Sequence, residues 1–162
     1  MNENAALRRH CPSKFDAMLT HRTQCRVIYG DTDALGYAYN GNYFRWFEQG
    51  RTEMFRALGL PYTEIEKRGV ALPVAETWCK FLAPVHYDDL LTIETRLDPE
   101  PKAAVRFEYT LFTEDPGRPV AHGYTRHACI DGGGRAVRPP AFLRDFIRCR
   151  LAAADGNPSP ST

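Results

Sequence analysis

No CxxC pair, no surplus of one charge and no apolar run of membrane-spanning length occurs in this sequence of 162 residues. Each absence removes a class of function. The five cysteines (Cys11, Cys25, Cys79, Cys129 and Cys149) are an odd number and stand far apart, which fits reduced thiols in a cytoplasm better than a disulfide framework or a zinc site. Formal net charge is +1, with 21 Lys and Arg against 20 Asp and Glu. No broad basic field therefore points to nucleic acid, and an anionic ligand has to be met by a local cluster of basic groups. The N-terminal residues are polar and basic without an apolar h-region, and nothing approaches the ~20 apolar residues of a membrane-crossing helix. The histidines His86, His122 and His127 show no metal-ligand spacing. His122 and His127, five apart on an expected strand, should face opposite sides of it. We expect no metal, no cofactor and no nucleic-acid partner.

What is present is an ordinary globular composition, 43% hydrophobic and 25% charged, in a chain long enough for one core. Residues 1–20 are weakly patterned and read as a loose arm. Residues 21–148 read as the folded domain, and residues 149–162, which end in "GNPSPST", as a tail without structure. Residues 23–29 alternate as a strand. A turn, "GDTDALG", follows. Then Tyr43, Phe47, Gly50 and Met54 recur at i, i+4, i+7 and i+11, which predicts a helix of about four turns closed near Gly59 and Pro61. Gly50 in its middle costs about 1 kcal/mol relative to Ala, so a neighbour should pack closely there. Residues 62–68 suit a short helical turn. Four further strands are expected, over 70–81, 90–97, 104–113 and 119–130, separated by turn signals at Asp98-Pro99, Asp115-Pro116-Gly117 and Asp131-Gly132-Gly133-Gly134. One strand, one long helix and four strands joined by short turns predict an α+β fold, a curved antiparallel five-stranded sheet around the helix.

The chemistry concentrates in "YGDTDALGYAYNGNYFRWFEQGRTEM", residues 29–54. Asn40, Gly41 and Asn42 occupy the expected N-cap region of the helix, where backbone N–H groups lack intrahelical partners and the dipole is positive. Such a terminus stabilises an anion, including the oxyanion formed when a carbonyl is attacked. Asp33 lies on the loop that delivers the chain there. A carboxylate facing oxyanion donors across a gap is a minimal kit for acyl transfer. On residue type alone, Asp31 and Asp33 read equally well as turn formers.

This segment resembles the signature of the 4-hydroxybenzoyl-CoA thioesterase family of hotdog-fold acyl-CoA thioesterases, matched by Asp31, Asp33, Gly36, Tyr39, Asn42 and Tyr43. The likeness continues through "LPVAETWCKFLAPVHYDDLLTIETRL" and ends at "DGGGRAVRPPAFL". It implies a hotdog fold and hydrolysis of an acyl- or aroyl-CoA thioester. Asp33 falls on the family's catalytic carboxylate and Gly36 on the glycine that turns the loop. Asn40 falls where relatives usually carry His or Tyr, so a backbone donor is retained and a His or Tyr side chain is not. Asn40 and Gly41 are the implied oxyanion donors. Tyr43 is an implied pocket wall, Glu76 lies on the strand near a partner's site, and Arg135 and Arg138 fall near basic residues used at the nucleotide end of coenzyme A. Arg106 and Arg126 are further candidates for the phosphates. Glu48 and Arg51, spaced i, i+3, read first as a helix ion pair. The resemblance also implies a homo-oligomer, a dimer or a dimer of dimers (a homotetramer). The alternatives are a non-catalytic acyl-CoA or acyl-carrier-protein binding module, and a hotdog hydratase or dehydratase. The latter wants a positioned His, and none lies within residues 29–54.

Overall fold

Tyr43, Phe47, Gly50 and Met54 do form the buried face of one long helix, and everything else is arranged around it. The protein is described here from a computed structural model covering residues 18–99, 101–113 and 117–154. Its elements in chain order are β1 (Leu19–Arg26), α1 (Asn42–Leu58), α2 (Tyr62–Lys67), β2 (Val70–Ala71), β3 (Val74–Phe81), β4 (Leu90–Leu97), β5 (Val105–Thr113), β6 (Pro119–His127), β7 (Cys129–Asp131), β8 (Ala136–Val137) and α3 (Ala141–Ala154). Five strands form one antiparallel sheet in the order β1-β4-β5-β6-β3, and β2, β7 and β8 form a small second sheet. An antiparallel sheet packed on a single long helix is the hotdog arrangement.

Period-2 alternation decides which side of the sheet meets α1. On β4, Leu91, Ile93, Thr95 and Leu97 are buried, and on β5 Val105, Phe107, Tyr109 and Leu111 are. Phe47 stacks on Tyr109 with ring centroids 4.3 Å apart, and Phe55 meets Phe107 edge-on at 5.5 Å. Helix and sheet approach so closely that a Cβ on Gly50 would stand 2.8 Å from Ile93 Cγ2 and closer still to Thr95 Oγ1. The glycine expected to sit under a neighbour does so, and the lost helix propensity is exchanged for contact across the whole interface. The opposite face of the sheet is a lattice of paired charges, with Arg22 on Glu94 at 2.8 Å and Arg106 on Glu108 at 3.4 Å.

Five boundaries differ from the sequence expectation. The first strand ends at Arg26 rather than 29, because the chain at Tyr29–Asp31 turns into a 3-10 helix, with Ile28 N–H donating to the Asp31 carboxylate at 3.1 Å. The strand expected over 70–81 is split at Pro73, which has no N–H for a ladder. Its first part, β2, joins the small sheet instead. The strand expected over 119–130 is likewise split at Ala128, whose N–H donates to the Pro73 carbonyl at 3.1 Å. Finally, α3 carries the chain in helical form through Ala154, past the boundary placed at 148. It buries Leu143 and Ile147, one turn apart, while Leu143 and Arg144 N–H groups close onto the Pro140 carbonyl. At the other end β1 begins at Leu19, inside the arm expected over 1–20 and four residues before the expected strand, because Leu19 pairs with Leu97 on β4. The rest of the expected arm, residues 1–17, and most of the expected tail, 155–162, lie outside the described residues.

His127 and His122 do face opposite sides: His127 is buried under α1, His122 exposed on the outer face. His127 Nδ1 lies 2.8 Å from the Leu72 carbonyl and Nε2 2.9 Å from Thr125 Oγ1, which in turn is 2.8 Å from the Tyr109 hydroxyl. A carbonyl only accepts, so Nδ1 carries the proton and the neutral ring accepts at Nε2. Thr125 therefore donates to His127, and Tyr109 to Thr125. Burial pushes the imidazole down to about 4, against the favourable bond to Leu72 and with added repulsion from the Arg51 guanidinium. A folded value below the ordinary 6.5 means that the unfolded chain takes up the proton first. Stability is therefore full above about pH 6.5 and declines as pH falls towards 4. Denaturant titrations at stepped pH should show this decline at up to about 1.4 kcal/mol per unit, and His127→Gln should remove the slope between pH 6.5 and 5.

Candidate active site

The loop between β1 and α1 is fixed by Asp31. Its carboxylate, 4% exposed, accepts from Ile28 N–H at Oδ2 and from the Arg45 guanidinium at Oδ1. Its carbonyl accepts twice more, from Tyr39 N–H at 2.7 Å and from Asn42 Nδ2 at 2.7 Å. Arg45 and Asn42 both belong to the first turn of α1, so one residue ties the end of the loop to the start of the helix. Sequence reading left Asp31 as a turn former. The contact with Arg45 spans fourteen residues and has no periodic signature, so only the fold reveals it.

From that anchor the chain makes a tight hairpin. Thr32 pairs with Ala38, and Asp33 N–H donates to the Tyr37 carbonyl at 2.8 Å. Gly36 N–H closes the turn onto the Asp33 carbonyl at 3.0 Å, and Gly36 has φ +78°, the left-handed conformation that glycine adopts without strain. At the far side Ala38 N–H is held by the Val85 carbonyl at 2.8 Å, and Tyr37 bridges to His86. Asp33 is exposed on this rigid hairpin. Its Oδ1 accepts from Leu35 N–H at 2.8 Å, and Oδ2 has no partner among the described residues.

The helix tip opens where expected, with α1 starting at Asn42. Asn42 N–H donates to the Tyr39 carbonyl at 2.9 Å and Tyr43 N–H to that of Asn40 at 3.3 Å. Gly41, the N-cap residue, is already helical at φ −61°, ψ −27°. The Asn40 and Gly41 amides are left without a hydrogen bond among the described residues. Beside them lies a mainly apolar cavity of about 350 Å³, walled by Tyr37, Asn40, Tyr43, Phe81, Leu82 and Val85. Burial pushes the Tyr43 phenol up to about 12, with Cys79 and Asp89 adding to the shift, so it remains a protonated donor.

The structure thus brings Asn40, Gly41, Tyr43 and the cavity together, with Asp33 and Gly36 on the adjoining hairpin and outside the cavity wall. The other candidates lie elsewhere. Glu76 sits on β3 and accepts from the Tyr124 hydroxyl and, at 2.8 Å, from Arg126 Nη1. Those two donors, Tyr124 first, hold its carboxyl below the usual range. Arg106 stacks on Tyr124 with its guanidinium 4.1 Å from the ring centroid. Arg135 and Arg138 flank β8, exposed and without an ion pair among the described residues. No His, Cys, Asp and Glu cluster able to hold a metal occurs among the described residues. Burial raises the Cys25 and Cys79 thiols to about 11, so neither supplies a thiolate at neutral pH.

A family model described as the thioesterase-like superfamily matches residues 27–147. The acyl-CoA thioesterase YbgC of Haemophilus influenzae is 31% identical over 121 residues, 74% of this chain and 86% of that protein. A 1,4-dihydroxy-2-naphthoyl-CoA hydrolase of Synechococcus is 34% identical over 116 residues, 68% of this chain and 87% of its own length. Among solved structures, 4-hydroxybenzoyl-CoA thioesterase superposes with a TM-score of 0.71 at 24% identity, covering 79% of this chain and 97% of that one, a likeness of fold.

The two aspartates of the loop are separable by stability. Asp31→Ala removes a buried, doubly bonded carboxylate and should cost about 1.5–3 kcal/mol in denaturant unfolding. Asp33→Asn keeps an acceptor for Leu35 N–H and should stay within about 0.5 kcal/mol of the parent.

Proposed function

The chain belongs to the thioesterase-like superfamily and is a thioester hydrolase, and on that premise we propose that it hydrolyses acyl- or aroyl-CoA with Asp33 as the reacting carboxylate. The observation that carries this reading is that one carboxylate oxygen of Asp33, on the hairpin leading into α1, and the Asn40 and Gly41 amides at the tip of α1 have no hydrogen-bond partner among the described residues. The N–H groups of Asn40 and Gly41 hold the carbonyl oxygen as it becomes an oxyanion, aided by the dipole of a 17-residue helix. Asp33 Oδ2 either attacks the thioester carbon, giving a transient anhydride and expelling the thiolate, or removes a proton from the water that attacks it. A thiol has an ordinary pKa of about 8.5, so the sulfur leaves as thiolate without a strong general acid. The acyl group lies in the cavity beside Asn40, against the rings of Tyr43 and Phe81. Tyr37, Leu82 and Val85 complete its walls.

Two further assignments rest on the same reading. Arg135 and Arg138 meet the phosphates of coenzyme A, since Arg106 and Arg126 are already engaged by Glu108, Tyr124 and Glu76. A second copy of the chain covers β3. Among the described residues that strand pairs with β6 alone, and its other edge leaves Val74, Trp78 and Phe81 nearly half exposed, an arrangement that isolated folds avoid. The four described cysteines are free thiols, in keeping with a reducing compartment such as the cytoplasm. No helix among the described residues is long and apolar enough to cross a membrane.

Thiol release from a panel of acyl-CoAs, followed colorimetrically, tests the central assignment. Asp33→Asn should lower kcat by about 100-fold or more while leaving the melting temperature in place. Hydrolysis at the parent rate in that variant would overturn the role of Asp33. Arg135→Ala with Arg138→Ala should raise KM for the acyl-CoA several-fold, on the order of one charge-assisted contact each. The same double variant should treat the matching acyl-pantetheine, which lacks the nucleotide, as the parent does.

A further inference from the structure

A second cavity, of about 250 Å³, lies on the other side of α1, and its polar groups are not balanced. It is lined by Glu48, Arg51 and Thr52 of α1, Tyr62 and Glu66 of α2, and Leu72. The Arg51 side chain is only 10% exposed. Its sole ion-pair partner among the described residues is Glu48 at 3.5 Å, a side chain that is itself 68% exposed. Burial raises both the Tyr62 and Tyr109 phenols, Tyr109 to about 12, and the nearby Arg51 guanidinium offsets part of that rise. It nevertheless makes a hydrogen bond of good geometry to neither. Tyr109 is committed elsewhere, because the proton order of the His127–Thr125 chain makes its hydroxyl a donor to Thr125. The Tyr62 hydroxyl is fully buried, and among the described residues Arg51 is its neighbour in the cavity but no partner meets hydrogen-bond geometry. A buried donor left unmade is expensive, and a buried guanidinium without a close acceptor more so.

We propose that this cavity is a carboxylate-binding site, in which Arg51 and Tyr62 are the donors and Glu48 is the internal group that the ligand displaces. The chemistry follows from what is missing. Two donors converge without an acceptor, one of them the planar fork that suits the two oxygens of a carboxylate. Glu48 occupies that fork loosely and can swing into solvent, whereas Glu66 is exposed at the rim. A neutral amide of the same shape would satisfy one donor and leave the guanidinium charge uncompensated. The carboxylate can come from a free acid or from the distal end of a dicarboxylic acyl chain. The site is distinct from the residues assigned to thioester cleavage and does not depend on them for binding.

Calorimetric titration with benzoate, and with benzamide as the neutral isostere, tests the proposal. Benzoate should bind the full-length protein saturably and benzamide at least about tenfold more weakly. Tyr62→Phe should weaken benzoate at least about fivefold without lowering the melting temperature of the free protein, since it deletes a hydroxyl that has no partner. Glu48→Gln should tighten benzoate binding by removing the competing carboxylate, a change that a purely structural pair would not produce. Asp33→Asn should leave it unchanged, which separates failure of this site from failure of the hydrolytic assignment. Glutaryl-CoA and pentanoyl-CoA then distinguish the sources. A Tyr62→Phe loss in kcat/KM confined to glutaryl-CoA assigns the carboxylate to the acyl chain, and an unchanged ratio with lost benzoate binding assigns it to free acids. Absence of saturable benzoate binding, equal binding of benzamide, or parent-like binding by Tyr62→Phe would overturn the proposal.

Discussion

Asp31 ties the loop after β1 to the start of α1, and the candidate site depends on that tie. Its carboxylate holds Ile28 N–H and Arg45, and its carbonyl holds Tyr39 N–H and Asn42 Nδ2. Four donors from both sides of a loop converge on one residue, so the hairpin bearing Asp33 and the tip of α1 cannot move independently. This division of labour explains why two aspartates stand two residues apart. The first is consumed by structure, with both carboxylate oxygens occupied. The second stays exposed, with one oxygen used to stiffen its own turn and one left over. Oxyanion stabilisation depends on donors that are in place before charge develops, and on the proposed reading the clamp at Asp31 is what places them.

A second constraint sets the distance between helix and sheet. Gly50 and Gly123 lie on facing surfaces, and a Cβ on Gly123 would come 2.6 Å from the Trp78 carbonyl while meeting the Phe47 ring. Removing both side chains lets Phe47 lie flat on Tyr109. That stack in turn holds the Tyr109 hydroxyl over Thr125, which starts the directional chain ending at the Leu72 carbonyl. Close packing of α1 and the polar order beneath it are therefore one feature. A neutral His127 fits this order because its Nε2 accepts the Thr125 hydroxyl proton, and burial disfavours a second ring proton.

Much of this was legible in the sequence, and the failures are informative. The period of Tyr43, Phe47, Gly50 and Met54 locates α1 to within a residue, because helix periodicity is a local property that burial enforces. The alternation of Leu91, Ile93, Thr95 and Leu97 likewise states which side of β4 is inside. The catalytic loop was readable because glycine, asparagine and aspartate each have few reasons to occur in that order. The resemblance of residues 29–54 to a known signature then supplied what propensity could not. What escaped was non-local. Nothing in the vicinity of Asp31 announces Arg45, and nothing around Tyr62 announces Arg51. Helix α3 escaped for a different reason. Its Phe142, Leu143, Phe146 and Ile147 have helical spacing, but the preceding Pro139-Pro140 reads as an exit, whereas a proline carbonyl is well suited to start a helix.

The free edge of β3 bears on chemistry as well as assembly. In the single chain the Asp33 carboxylate faces water, and a solvated carboxylate is a poor nucleophile and an unexceptional base. The cavity beside Asn40 is open, and Phe81 and Leu82 form one wall of it at the end of β3. Residues at the end of this edge strand thus also border the cavity beside Asn40. Covering that edge with a second copy would bury aliphatic and aromatic surface, remove unpaired strand groups from water and lower the local dielectric around the thioester in one step. Folding alone gives this chain the donors and the carboxylate. On the proposed reading, a second copy closing the edge would supply the dry environment for the attack on the carbonyl, and assembly would then be part of catalysis rather than an accessory to it.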